Sequence, residues 1–167
     1  MTERFPLSRR SFLATAGATA LSGAISAPAL AQGANKPLKI GMVTSLSGPF
    51  TALGESMRAG MQMFLAENGG KLAGRAVELI VEDDQAKPDE GVRKFRKLLG
   101  QDNVDIVSGV ISSAVALAVR DVVTEAKALT CISAGSANDL ARKAASPFVC
   151  RPTKTNWMLG HTAGLWA

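Results

Sequence analysis

The chain has 167 residues, enough for one domain with a core of its own. Apolar residues make up 47% and charged residues 20%, which is globular composition and excludes a chain too polar to fold. The 19 basic and 14 acidic side chains give a net +5, but Arg4, Arg9 and Arg10 supply part of that excess and the rest is scattered. With no tyrosine and few other aromatic residues, nothing here suggests a nucleic-acid surface.

At the N-terminus, Ser8-Arg9-Arg10-Ser11-Phe12-Leu13 resembles the twin-arginine export signal, although Ala14 stands where such signals commonly have Lys. Residues 14–25 are weakly apolar, built mostly of Ala, Gly, Thr and Ser. Ala29-Leu30-Ala31 then supplies small residues at the spacing that signal peptidase accepts, placing cleavage between Ala31 and Gln32. Positive charge stays inside, a short apolar run enters the membrane, and small residues fit the peptidase. The run is too short and too weak for a permanent membrane helix. An uncleaved anchor and the general secretory route are the alternatives. No Cys at the cleavage point offers a lipid anchor. Residues 1–31 therefore read as an export signal peptide whose partner is the export machinery, and residues 32–37 as a linker. The mature protein is expected to be soluble in the periplasm.

Residues 38–44 read as a strand that runs into the loop Ser45-Leu46-Ser47-Gly48-Pro49-Phe50. Leu53, Met57, Gly60, Met61 and Phe64 follow at helical spacing, so the apolar period changes across the loop. Asn68-Gly69-Gly70 ends that helix with C-cap chemistry. Residues 77–82 alternate as a second strand, closed by Asp83-Asp84. Pro88-Asp89-Glu90 opens a helix that should bury Val92, Phe95 and Leu99, leaving Arg93, Lys94, Arg96 and Lys97 as a solvated face. Residues 104–109 form a third strand. The next helix carries Val115, Ala118, Val119, Val122 and Ala126 on one face. Residues 129–133 and 148–151 are two further strands, and Thr155-Asn156 caps a last helix through Trp157, Leu159, Leu165 and Trp166. Strands alternating with helices throughout predict an α/β, doubly wound parallel sheet. The flavodoxin-like order 2-1-3-4-5 puts a ligand-binding edge beside the first strand.

Three loops at that edge are rich in Ser and Gly: 45–50, 109–114 and 133–138. None holds a convincing nucleophile, base or metal cluster, so neither a catalytic residue nor a cofactor is expected. Backbone N–H groups at helix starts, together with hydroxyls, suit a carboxylate. Asp83-Asp84 resembles half of a metal or phospho-acceptor site, but the third strand ends in Ser108-Gly109 without an acid. The pair therefore reads as turn and strand-end residues. His161, the single histidine, reads as structural.

The stretches Lys39-Ile40-Gly41, Leu46-Ser47-Gly48-Pro49, Glu82-Asp83-Asp84-Gln85, 109–116, Ile132-Ser133-Ala134-Gly135-Ser136 and Pro147-Phe148-Val149-Cys150-Arg151 occur in an order and spacing that carry a resemblance. From residue 38 onward the chain is similar to the amino-terminal lobe of type I periplasmic solute-binding proteins of the branched-chain amino acid transport group. The resemblance implies one lobe of a two-lobed protein. It also implies a non-enzymatic role as the ligand shuttle of an ABC importer, with permease subunits as partners. The implied ligand is small: an amino acid, an amide, or an aromatic or aliphatic carboxylate.

Carried over residue by residue, Ser113 matches the hydroxyl that holds the ligand carboxylate. Gly135, Ser136 and Ala137 match contacts to the ligand's polar head, and Ser47 and Phe50 would line the pocket. Ser112 is a candidate beside Ser113, and both have the alternative of capping the following helix. Ala137 stands where amino-acid binders commonly have Thr, which leaves room for another carboxylate or an amide. The chain stops within the last helix, so residues 38–167 are expected to be a lobe without its second half, with weak or absent ligand binding. The alternatives are a ligand-sensing lobe of a receptor and a secreted α/β hydrolase, though the hydrolase's G-x-S-x-G is missing. Cys131 and Cys150 fall in neighbouring strands and both read as buried. An oxidising compartment permits their disulfide, whereas folding before export favours free thiols.

Overall fold

A computed structural model describes residues 36–166. The expected signal residues Arg9, Arg10, Ala31 and Gln32 lie outside the described residues. Strand β1, Leu38–Thr44, is the spine of the sheet: it is buried along most of its length and is flanked by parallel neighbours on both sides. A short 3₁₀ turn at Gly48–Phe50 leads into helix α1, Thr51–Glu67. Next come β2, Lys71–Leu72, β3, Arg75–Asp83, and α2, Pro88–Gly100. Strand β4, Ile106–Gly109, helix α3, Ser113–Ala126, and strand β5, Thr130–Ile132, follow. The last elements are a 3₁₀ turn at Asn138–Ala141, β6, Val149–Cys150, and α4, Asn156–Gly164.

The sheet order is β2-β3-β1-β4-β5-β6. Its five parallel strands run in the expected order 2-1-3-4-5. The addition is β2, which pairs antiparallel with β3 at one edge. It arises because Gly69 and Gly70 end α1 in left-handed conformations, and Ala73 and Gly74, both at positive φ, then close a two-residue hairpin of the kind whose twist matches its strands. Ala-Gly is a weak hairpin signal beside Asn-Gly, which is why the sequence pattern shows a loop there.

Register sets two unequal faces. The row Ile80–Gly41–Val107–Thr130–Val149 points to one side, and the row Val81–Met42–Ser108–Cys131–Cys150 to the other. On the first side α2 and α3 close the core, in which Val43, Phe95, Leu98, Val107, Val115, Val119, Val123 and Ile132 are fully buried or nearly so. The expected inward face of α2 is displaced by one step. Phe95 and Leu98 are sealed, while Val92 and Leu99 are only half-buried, because β1 offers Gly41 as the hollow into which Leu98 fits. In α3 the buried residues are Val115, Ala116, Val119 and Val123, so Ala118 and Val122 sit at the flank and Ala126 is exposed.

On the second side α1 approaches the end of β1. Its apolar stripe is present at the predicted spacing but is not buried. Leu53 and Phe64 are each 47% exposed, and burial falls on Gly54 and Leu65. Helix α4 forms where expected, with the Thr155 hydroxyl accepting from the Met158 amide, yet none of its residues is buried. Trp157, Leu159, Leu165 and Trp166 are all exposed. His161 stacks edge-on to Trp157 at 4.6 Å on this exposed surface.

Gly54 sets how closely α1 approaches β1. A Cβ there would lie 2.0 Å from the Ser45 carbonyl oxygen, so the backbones touch through it. Gly60, six residues on in the same helix, has open space around it. Gly54→Ala is therefore expected to lower stability by about 2–4 kcal/mol in urea unfolding, since either the helix or the loop must move. Gly60→Ala should raise it by about 0.5–1 kcal/mol through helix propensity. Equal responses would show that α1 does not depend on this approach.

Candidate functional site

The loops after β1, β4 and β5 lie side by side at the carboxyl edge of the sheet because those three strands are consecutive neighbours. Backbone bonds stitch them together. The Val110 amide donates to the Val43 carbonyl at 2.7 Å, the Ser133 amide to the Gly109 carbonyl at 2.6 Å, and the Gly135 amide to the Val110 carbonyl at 3.2 Å. Gly109 is required here: its φ is +107° and an added Cβ would lie 2.1 Å from the Val43 carbonyl oxygen.

Ser113 occupies the first turn of α3, and its hydroxyl reaches across to the β5 loop. Its Oγ accepts from the Ser136 amide at 3.1 Å and from the Ala137 amide at 3.2 Å. This corrects the capping alternative: Ser112 is the N-cap residue, but its side chain makes no capping bond, and Ser113 serves the neighbouring loop rather than its own helix. Ser112 is nearly buried, and its carbonyl accepts from the Ala116 amide at 2.9 Å. Gly135 lets the loop lie against α3, since a Cβ would meet the Ala116 methyl at 3.2 Å and the Ile132 side chain at 3.0 Å. Ser136 donates its hydroxyl to Asn156 Oδ1 at 2.6 Å, and the Ala137 carbonyl accepts from Arg151 Nη1 at 2.7 Å. The structure thus brings Ser113, Gly135, Ser136 and Ala137 together. Ser112 lies behind them. A depression of about 360 Å³ opens beside this loop, lined by Asn138, Arg142, Thr155, Trp157 and Met158 among others. The sequence reading missed these residues, whose nearness to Ser136 is set by tertiary packing.

The first loop is held from the other direction. The Leu46 amide and Ser47 hydroxyl donate to Asp83 at 2.9 and 2.6 Å, and the Ser45 hydroxyl donates to Asp84 at 2.6 Å. Asp83 also accepts from the Gln85 amide, and Asp84 from the Ala86 amide, each at 2.8 Å. Asp83-Asp84 is thus more than a strand end, because it fastens the loop after β1 to the end of β3. Ser47 is committed to Asp83, and Phe50 is 40% exposed at the rim.

The adjoining basic run is likewise partly engaged. Lys94 and Lys97 donate to the two oxygens of Glu82 at 2.6 and 2.7 Å, while exposed Arg93 pairs with Glu90 one turn back and Arg96 faces water. Burial by itself would raise the Glu82 carboxyl, but the two lysines outweigh it and hold the group below its ordinary value. Burial pushes Asp83 the same way, and the donors from Ser47, Gln85 and Leu46 overcome it. Among the described residues no group of three or more His, Cys, Asp or Glu side chains is placed to hold a metal ion.

A sequence profile of the family described as periplasmic binding protein matches residues 37–167. The chain belongs to that family. Within it, this periplasmic binding protein is 26% identical over 121 residues to Leu/Ile/Val-binding protein homolog 6 of Brucella abortus, covering 72% of the chain and 30% of that protein. It is 32% identical over 112 residues to the Leu/Ile/Val-binding protein BraC3 of Rhizobium johnstonii, covering 66% of the chain and 30% of that protein. Among solved structures it resembles an ABC transporter solute-binding protein of R. palustris in complex with benzoate. The TM-score is 0.73 at 28% identity, over 77% of this chain and 36% of that one. The chain thus spans about a third of the length of the relatives it matches, within the branched-chain amino acid transporter group of type I binding proteins.

The carboxylates at the loop make a pH prediction. Glu82 and Asp83 both have folded-state pKa values below their ordinary 4.5 and 3.8. Their contribution is therefore fully present above those ordinary values and is lost as pH falls through the lower, folded ones. Urea midpoints measured from pH 7 down to pH 3 should fall at the acid end. Asp83→Asn should start lower at pH 7 and fall less steeply; an unchanged acid slope in that variant would contradict the assignment.

Proposed function

We propose that this chain is the ligand-contacting amino-terminal lobe of the substrate-binding component of an ABC importer, and that its site takes the carboxylate of a small molecule. One observation carries the reading. Two consecutive backbone N–H groups, those of Ser136 and Ala137, converge on a single oxygen, Ser113 Oγ, at the carboxyl edge of the sheet. With both amides donating to its oxygen, Ser113 keeps its own O–H to donate, which suits a carboxylate oxygen without a metal or a catalytic base. Related proteins support the ligand class: some are named for leucine, isoleucine and valine, and one solved structure holds benzoate. A carboxylate is the chemistry those ligands share. The Ser113 hydroxyl would donate to it, held in place by the amides of Ser136 and Ala137, with Gly135 fixing the loop's position, Ser112 supporting from behind, and Ser47 and Phe50 forming the rim. Ala137 has only a methyl group to offer a ligand's second polar group, which favours an aromatic or aliphatic acid over a branched-chain amino acid. In this reading residues 38–167 are one wall of a cleft, and permease subunits receive the loaded protein.

Titrating the isotopically labelled chain with benzoate, leucine and benzamide while following amide shifts tests this. Benzoate at millimolar concentration should shift the Ser136 and Ala137 amides in a saturable way. Ser113→Ala should weaken that response by about tenfold, the usual effect of losing one charge-assisted hydrogen bond. A site that ignores all three compounds, or that responds equally to benzamide, would refute the carboxylate reading.

We further infer that residues 1–31 direct export to the periplasm and are removed. The support is the order of Arg9-Arg10, the weakly apolar run and Ala29-Leu30-Ala31. No helix among the described residues is long and apolar enough to cross a membrane. N-terminal sequencing of the chain recovered from a bacterial periplasmic fraction should begin at Gln32, and an intact Met1 end there would overturn the cleavage.

A further inference from the structure

We propose that Cys131 and Cys150 form a reversible dithiol–disulfide pair whose closure pins the loop carrying Ser136 and Ala137. The inference does not depend on the ligand assigned to that loop. Cys131 and Cys150 are register partners on the neighbouring parallel strands β5 and β6, so their side chains rise from the same face of the sheet. That face is the one turned away from the core formed with α2 and α3. Contrary to the sequence expectation, the pair is not sealed: Cys131 is half-buried and Cys150 is exposed, and both are free thiols. Adjacent strands run about 4.8 Å apart, within the roughly 4.4–6.8 Å of Cα separation that a disulfide spans. Burial and the adjoining Cys150 thiol raise Cys131 above the ordinary thiol range, so Cys131 remains protonated at neutral pH. Cys150 is the sulfur that a reagent reaches first.

The oxidant is a small-molecule disulfide. The Cys150 thiolate attacks one of its sulfurs, forms a mixed disulfide and expels one thiolate. Cys131 then gives up its proton, attacks the Cys150 sulfur and expels the second thiolate. Two cysteine thiols are oxidised by two electrons, the reagent is reduced to two thiols, and the two cysteine protons end on those thiols. The new bond closes residues 131–150 into a ring that contains Gly135, Ser136 and Ala137. It fastens β6, a strand of only two residues that is otherwise held to the sheet by its pairing with β5.

The test treats the native chain with oxidised glutathione and maps its peptides without reduction. A Cys131–Cys150 linked peptide is expected, with the chain lighter by two hydrogens, no free thiol, and both thiols restored by dithiothreitol. Cys131→Ser should stop at one glutathione on Cys150. Closure in native buffer should be at least about tenfold faster than in guanidinium, because the fold has already brought the sulfurs together. Hydrogen exchange at the Ser136 and Ala137 amides should slow on closure. Retention of glutathione on the wild-type chain, linkage between two chains, or closure no faster than in denaturant would overturn the pairing. Unchanged exchange at those amides would overturn the pinning.

Discussion

Two carboxylates at the end of β3 hold the architecture of the site in place. Asp83 and Asp84 gather three donors from the loop after β1 and two from their own turn, within 2.6 to 2.9 Å. A loop that must leave a buried strand and re-enter as a helix has few ways to satisfy its amides and hydroxyls, and an acid on the adjacent strand is a strong acceptor for them. With the loop fixed, α1 starts where Gly54 can lie against the Ser45 carbonyl. Asp84 is fully buried, and one of its oxygens has no hydrogen-bond partner among the described residues, so the fastening carries a desolvation cost. The β4 and β5 loops are then placed by backbone bonds to β1 and β4, and Ser113 ties the two loops to each other.

The sheet divides the molecule into a finished side and an unfinished one. Helices α2 and α3 seal one face over a row of fully buried valines, phenylalanine and leucine. The other face is covered near β1 and becomes more exposed toward β6, from Met42 at 2% to an exposed Cys150 in the same register row. Apolar residues on α1 and α4 share this character, with Phe64, Trp157 and Leu159 each about half exposed. The sealed face carries most of the hydrophobic stabilisation, since stabilisation follows apolar area removed from water.

Much of this was legible in the sequence because parallel α/β units write their period twice, once in strands and once in helices. The five parallel strands, the order 2-1-3-4-5 and the Ser/Gly character of the edge loops followed from that pattern. Three things did not. Which step of an amphipathic helix is sealed depends on the facing strand, and Gly41 opposite Leu98 moved the α2 burial by one residue. Whether an apolar stripe is covered depends on what packs against it, so Leu53 and Phe64 matched the period and still face water. Side-chain bonds between distant residues leave no local mark. Nothing near Ser113 announces Ser136, and nothing near Glu82 announces Lys94 and Lys97 as its partners rather than as bystanders on a solvated face.

The hairpin that adds β2 bears on how copies of this chain can meet. An open sheet ordinarily ends in a row of unpaired amides and carbonyls that invites another strand. Here Lys71 and Leu72, turned by Ala73-Gly74, cover only Arg75 and Ala76 at one margin, and Val77–Asp83 of β3 pair with β1 alone. The opposite margin is two residues long, and Pro147 and Pro152 on either side of it offer no amide for further pairing. The β6 border is too short and too interrupted to template cross-strand growth, which leaves the outer edge of β3 beyond Ala76 as the open one. Among the described residues, strand addition by another copy is therefore confined to the outer edge of β3, and the β6 side is closed to it.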